Sequence, residues 1–274
     1  MTQNIRLGPQ ENKLLFSLEM KKMSIITFND IRNILKGTDS AIWNVIEGLK
    51  KKKRLQEIEN GKYLLVPARS GPDGNWSEDP WLIVPQLIDE YYVAFWTAMS
   101  FWDMTEQIPY TIFVATPKRK KKRILKFGNQ KFQFVTISKK KFFGYIEEKI
   151  GKNHSFNIAS REKTIVDGLT HPEYCGGIVE VTKAMWNSRK EVDWNKVLDM
   201  SKKIKINVVL RRLGYLLTVL DIENDVANKI KKEITRYPYQ FLDPSTEKNR
   251  ISYSKEFGLI LNRTKEELVS WRDY

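Results

Sequence analysis

Residues 27–66 read TFNDIRNILKGTDSAIWNVIEGLKKKKRLQEIENGKYLLV, and the reading of this stretch decides the fold. Thr27 followed by Asp30 has the spacing of a capping box, so a helix opens there. Phe28, Ile31, Ile34 and Leu35 line one face of it, and Gly37 marks its end. Thr38 caps the next helix, in which Ile42, Val45, Ile46 and Leu49 recur at i, i+3, i+4 and i+7 and must face inward. Leu55–Glu59 and Lys62–Val66 then flank Asn60-Gly61, the strongest short signal for a type I′ hairpin because both central residues need positive φ. Upstream, Gln10–Met20 carries Leu14, Leu15 and Leu18 on one face, and Ser24-Ile25-Ile26 reads as an extended link. Three helices and a hairpin in this order predict a winged helix-turn-helix over residues 1–67.

The inward stripe of the third helix leaves Asp39, Ser40, Trp43, Asn44, Glu47 and Lys50 outside. An exposed Trp beside Ser and Asn suits a surface on which something docks. Ser and Asn can hydrogen-bond base edges and Trp can pack on a thymine methyl, so Ser40, Trp43 and Asn44 are the expected readers of a major groove. Lys50, Lys51, Arg54 and Lys62 are expected to hold phosphates beside it. The competing reading is a small helical domain that binds a protein, with its lysines as a solvated face.

The whole chain has 274 residues, enough for about two domains. Its 47 Lys and Arg against 33 Asp and Glu leave +14, which favours a polyanionic partner over a neutral small molecule. The excess is spread along the chain but clusters locally, at Lys50–Arg54 and at Lys118-Arg119-Lys120-Lys121-Lys122-Arg123. A single cysteine, Cys175, excludes an internal disulfide framework. The opening residues lack a signal-peptide core, and no apolar run reaches the roughly 20 residues of a membrane span. The expected location is the cytoplasm, at the nucleoid, with no membrane contact.

Residues 68–80 include Arg69-Ser70-Gly71-Pro72-Asp73-Gly74-Asn75 and read as a linker, so a second domain is expected over 81–274. Ile88–Trp102 is apolar almost all round and predicts a buried helix. Strand-like runs follow at Thr111–Ala115, Arg123–Phe127, Lys131–Ile137, Phe142–Ile146 and His154–Ala159, with Gly128-Asn129 as a turn. The six-residue basic run falls between the first two strands and is expected at a hairpin tip, where it could grip phosphates or guard an edge. Helices follow at Arg161–Leu169, Gly177–Trp186, Asp193–Ile204, Val208–Leu220 and Asn224–Ile234, then a strand at Gly258–Leu261 and a helix opened by Thr264. The expected class is mixed α/β (α+β) with a helical C-terminal part.

Tyr91-Tyr92-Val93-Ala94-Phe95-Trp96-Thr97-Ala98-Met99-Ser100, followed by Thr105-Glu106-Gln107-Ile108-Pro109 and Ile112-Phe113-Val114-Ala115-Thr116, resembles the C-terminal domain of the AbiEi antitoxin family. Ala159-Ser160-Arg161-Glu162-Lys163-Thr164 with Asp167, and Arg212-Leu213-Gly214-Tyr215-Leu216-Leu217, are similar to later signatures of that family. The resemblance implies a winged helix joined to an α/β domain distantly related to restriction-endonuclease folds. It also implies repression of the protein's own promoter through inverted repeats, as a homodimer on DNA. A nucleotidyltransferase-like toxin is the protein partner that the resemblance implies.

Catalytic motifs are sparse. Gly71-Pro72-Asp73-Gly74 and Gly176-Gly177 lack the spacing of a phosphate loop, and two His with one Cys cannot make a typical structural zinc site. His171 and Cys175 lie four apart, but Pro172 disfavours one helix across them. Glu147-Glu148-Lys149 fits the acid-any-lysine pattern of metal-dependent nucleases, which also need an upstream acid such as Asp103 or Glu106. The expected protein is therefore a regulator of double-stranded DNA without cofactor or catalysis. A metal-dependent nuclease and a non-specific, chromatin-like DNA coat are the alternatives.

Overall fold

The structure, a computed structural model, describes residues 6–21, 23–59, 61–66, 81, 83–127, 130–150, 154–234 and 238–273. The chain is mixed α/β and divides into two compact units, Met1–Gln86 with Leu125–Lys131, and Leu87–Ile124 with Phe132–Tyr274. The linker expected at 68–80 lies outside the described residues.

The first unit runs α1 (Pro9–Met20), β1 (Ile25–Thr27), α2 (Phe28–Leu35), α3 (Asp39–Lys51), β2 (Leu55–Glu59) and β3 (Lys62–Leu65). Each helix start is closed locally. The Glu11 carboxylate accepts the Gly8 N–H at 2.6 Å, with Pro9 as the first helical residue of α1. Thr27 donates its N–H to Asp30 Oδ2 at 2.8 Å while Asp30 N–H returns to Thr27 Oγ1 at 3.2 Å, completing the expected capping box of α2. Thr38 Oγ1 accepts the Ala41 N–H at 3.3 Å and starts α3.

Two details differ from the sequence reading. Lys36, not Gly37, takes the left-handed conformation that ends α2, with φ 52°. The link at Ser24-Ile25-Ile26 becomes a true strand, because β3 is central and needs a ladder on both sides: the sheet order is β1-β3-β2, antiparallel throughout. Ile26 pairs with Tyr63 across β1 and β3, and Gln56 with Leu64 across β2 and β3. Of the predicted Asn60-Gly61 turn, Asn60 lies outside the described residues and Gly61 has the required positive φ of 72°. Leu14, Leu18, Ile26, Ile31, Ile42, Ile46, Leu49 and Tyr63 form the core, none more than 1% exposed. Each such side chain contributes about 1.5–3 kcal/mol by leaving water.

A short α4 (Val84–Leu87) precedes β4 (Tyr92–Val93), α5 (Phe95–Phe101), β5 (Thr111–Thr116), β6 (Ile124–Phe127), β7 (Gln130–Thr136), β8 (Tyr145–Ile150) and β9 (His154–Ala159), of which most of β6 and the start of β7 group with the first unit. Then come α6 (Arg161–Thr170), α7 (Ile178–Asn187), α8 (Trp194–Ile204), α9 (Asn207–Leu220) and α10 (Asn224–Glu233), followed by β10 (Gln240–Phe241), β11 (Ser252–Ser254), β12 (Leu259–Leu261) and α11 (Lys265–Val269). The six-stranded sheet has order β6-β7-β5-β4-β9-β8, and a small sheet has order β10-β12-β11. The large sheet is mixed: Val93 pairs antiparallel with Val114 of β5 and parallel with Ile158 of β9.

This topology corrects three expectations. The apolar run at 88–102 is not one helix; Tyr92 and Val93 are a strand buried between β5 and β9, and α5 begins only at Phe95. An apolar run buried on every side carries no period that separates strand from helix. The run Lys118–Arg123 is not a hairpin tip, since β7 lies between β5 and β6 and the run is a crossover between non-neighbouring strands. Finally, β8 starts at Tyr145, so Glu147-Glu148-Lys149 lies within a strand rather than after one. A 3-10 turn at Lys139–Lys141 and residues 142–144 occupy the space before it.

Candidate nucleic-acid interface

The outer face of α3 is set by what its inner face buries. Ile42, Ile46 and Leu49 are buried, whereas Ser40, Trp43 and Asn44 are exposed within one turn of each other. Trp43 is 44% exposed, and its ring lies 4.8 Å from Phe28, tilted by 32°. The indole is therefore held at one side by α2 and open at the other. Such a side chain offers a preset apolar surface with little rotamer freedom left to lose on contact.

The basic run that closes α3 is divided by its surroundings. Lys51 and Lys53 are exposed, and Lys53 sits in the left-handed region at φ 55°. Lys50 is bound instead by two carboxylates, Glu47 Oε1 at 2.8 Å and Glu57 Oε2 at 3.0 Å. The hydrogen bonds to Glu47 and then Glu57 hold its ammonium well above the usual lysine range. Lys52 reaches Glu11 Oε1 at 2.7 Å. Arg54, expected at a phosphate, is buried, with Nη2 3.9 Å from Glu19 Oε1. Burial lowers its affinity for a proton, with Glu19 opposing the effect. Lys62 opens β3 and is half-buried. Of the four expected phosphate ligands, Lys51 and Lys62 remain suited to that role without rearrangement, and Lys53, in the same basic run, joins them.

In the second unit, Lys118, Arg119, Lys121 and Lys122 are exposed, and Lys118 Nζ lies 3.8 Å from Asp89 and 3.9 Å from Glu90. Lys120 turns inward: its ammonium donates to Leu87 O at 2.9 Å and lies 4.7 Å from the centroid of the Phe134 ring.

Elsewhere the titratable groups are engaged structurally. Lys163 pairs with Asp167 one turn along α6, its ammonium donates to Tyr92 Oη at 2.8 Å, and Tyr92 donates to Asp167 Oδ2 at 3.1 Å. All three side chains are buried, and burial first, then the Asp167 charge, pushes the Tyr92 hydroxyl well above its usual range. Glu147 lies on the exposed face of β8 and accepts from Ser155 Oγ. Glu106 pairs with Lys183. His171 Nδ1 lies 2.9 Å from Glu173, while Cys175 is fully buried and its thiol is pushed up by burial. Among the described residues no group of three or more His, Cys, Asp or Glu is placed to hold a metal ion. A cavity of about 440 Å³ at the start of α7 is lined by Glu173, Gly176, Gly177, Ser245, Thr246 and Arg263 among others. Arg263 there pairs with Asp243 at 3.6 Å. No described helix is long and apolar enough to cross a membrane.

No protein-family model matches the sequence, and no curated protein does. Among solved structures, the chain is similar to the crystal structure of the RV2827C protein from Mycobacterium tuberculosis, with a TM-score of 0.69 over 98% of this chain and 96% of that one. The two are 12% identical in sequence, so the likeness extends to the fold and no further.

Proposed function

We propose that this chain is a double-stranded DNA-binding transcriptional regulator, a winged-helix protein of the AbiEi antitoxin kind that represses its own promoter. The observation that carries the reading is the outer face of α3, where Ser40, Trp43 and Asn44 stand exposed opposite a fully buried stripe. The order helix-strand-helix-helix-strand-strand, with a three-stranded antiparallel sheet, is the one expected of a winged helix and supports the reading. In that arrangement α3 enters the major groove and the β2-β3 hairpin is the wing beside the backbone. Lys51, Lys53 and Lys62 then contact phosphates, which fix register while the three polar and aromatic side chains read sequence.

The family resemblance extends the proposal to the second unit, as a restriction-endonuclease-related scaffold without catalysis. It also supplies the expected dimer on inverted repeats and a nucleotidyltransferase-like toxin as partner. The role needs no cofactor and places the protein at the nucleoid. Footprinting on the DNA upstream of its own gene tests it: protection of paired repeats supports the regulator. Uniform protection of any duplex identifies a coating protein instead, and metal-dependent nicking identifies a nuclease.

A further inference from the structure

Strands β5 and β7 are neighbours in the large sheet, and the Ile137 N–H donates to Thr116 O at 2.9 Å, so their C-terminal ends lie side by side. Each end leads directly into a basic segment. Lys118–Arg123 follows the first and Lys139–Lys141 the second, nine cationic side chains with no acid in either segment. Lys118 pairs with Asp89 and Glu90 at 3.8 and 3.9 Å and Lys120 turns inward, while Arg119, Lys121, Lys122, Lys139 and Lys140 are exposed. The 3-10 turn of Lys139–Lys141 packs against α8, whose end adds Lys203 and Lys205, both exposed. Lys203 Nζ sits 4.2 Å from the ring centroid of Phe143, just beyond the turn. Segments far apart in sequence thus meet on one face.

We propose that this face of the second unit is a binding surface for the phosphate backbone of duplex DNA, additional to α3. The proposal rests on the duplex-binding reading above and adds a second contact within the same chain. The chemistry selects the partner. A protein interface needs apolar anchors at its centre, and a single-strand site needs exposed aromatic rings for stacking. Neither basic segment contains an apolar or aromatic side chain, and the apolar residues that follow them are one exposed isoleucine, Ile124, and two half-buried rings, Phe142 and Phe143. Exposed lysines on extended stems match a regular array of phosphates, which a duplex presents on its outside.

Full-length protein carrying K121Q, K122Q, K139Q and K140Q tests the surface, with fluorescence anisotropy on a short random-sequence duplex across a salt series. Each lost phosphate contact should flatten the log-log salt slope by about 0.9, so a reduction of roughly 2–4 is expected, with affinity weakened tenfold or more. The corresponding four lysine-to-arginine changes should restore the slope, which a purely structural loss would not allow. An unchanged slope and affinity would overturn the proposal, and so would tighter binding of a single strand than of the duplex. S40A/N44A protein run in parallel separates the two readings. If only the α3 assignment is wrong, that variant keeps any sequence preference while the glutamine variant still loses slope. If only the basic face is wrong, the pattern reverses.

Discussion

The ring of Trp43 lies 4.8 Å from that of Phe28 while nearly half of the tryptophan surface remains in solvent. One aromatic residue of α2 thus braces the exposed large apolar side chain of α3. Trp43→Ala removes both the bracing contact and the apolar surface offered to a partner. The pair itself is worth about 0.5–1.5 kcal/mol, so thermal unfolding should shift by only a few degrees. Affinity for a cognate duplex should fall by more, about thirtyfold or roughly 2 kcal/mol, and Trp43→Phe should recover part of it. Equal small losses in stability and binding would place Trp43 in the fold alone.

Lys50 is neutralised by Glu47 and Glu57, at 2.8 and 3.0 Å. E47Q/E57Q should therefore tighten duplex binding and steepen the salt slope by about one, because a cation is released beside the groove. The same variant has a signature in pH. A lysine whose folded pKa is raised contributes stability that is complete below its unfolded value, about 10.4, and is lost as pH climbs towards the higher folded value. The difference in thermal midpoint between wild type and E47Q/E57Q should be constant from pH 7 to 9 and begin to shrink above about pH 10.4. A difference that instead changes through neutral pH would assign it to another group.

The Lys163–Asp167–Tyr92 network is a stability element. Asp167→Ala leaves a buried ammonium without its carboxylate, a change that costs about 3–5 kcal/mol. Lys163→Met with Asp167→Leu replaces both charges by apolar groups and should cost clearly less, although either partner alone is severe. Tyr92→Phe should cost roughly 1–3 kcal/mol, from the hydrogen bonds left unmade. Denaturant unfolding measures all three, and DNA affinity extrapolated to the folded state should be unchanged. Loss of binding in well-folded Tyr92→Phe protein would give the network a role beyond structure.

Cys175 is fully buried and its thiol is held protonated by burial. The native protein should resist thiol-reactive reagents at pH 8 and become fully labelled in denaturant. Rapid labelling of folded protein would contradict the placement of this residue.

The first unit was largely legible because its signals are local. Thr27 with Asp30 and Thr38 at the start of α3 are chemical punctuation, and the stripe of Ile42, Ile46 and Leu49 has a clear period. Ile88–Trp102 failed for the opposite reason: when every face is buried, periodicity vanishes and strand β4 cannot be told from a helix. The basic residues show a different limit. Lys50, Lys51 and Arg54 look alike in sequence, yet Glu57 and Glu19, on other elements, take Lys50 and Arg54 out of the solvated set. Likewise, Lys118–Arg123 and Lys139–Lys141 stand apart in the sequence, and only the adjacency of β5 and β7 joins them. Partners set by tertiary pairing have no signature in a charge count.

Reading of DNA sequence by α3 is measured most directly as an affinity ratio. Duplex from upstream of the protein's own gene is compared with a scrambled duplex of equal length and composition, for wild type and S40A/N44A at one fixed salt concentration. A wild-type preference of at least about a thousandfold is expected, the low end of usual specificity ratios. S40A/N44A should lose most of that preference while its scrambled-duplex affinity stays the same. Equal affinity of the wild type for both duplexes, or a preference that survives S40A/N44A intact, would contradict sequence reading by α3.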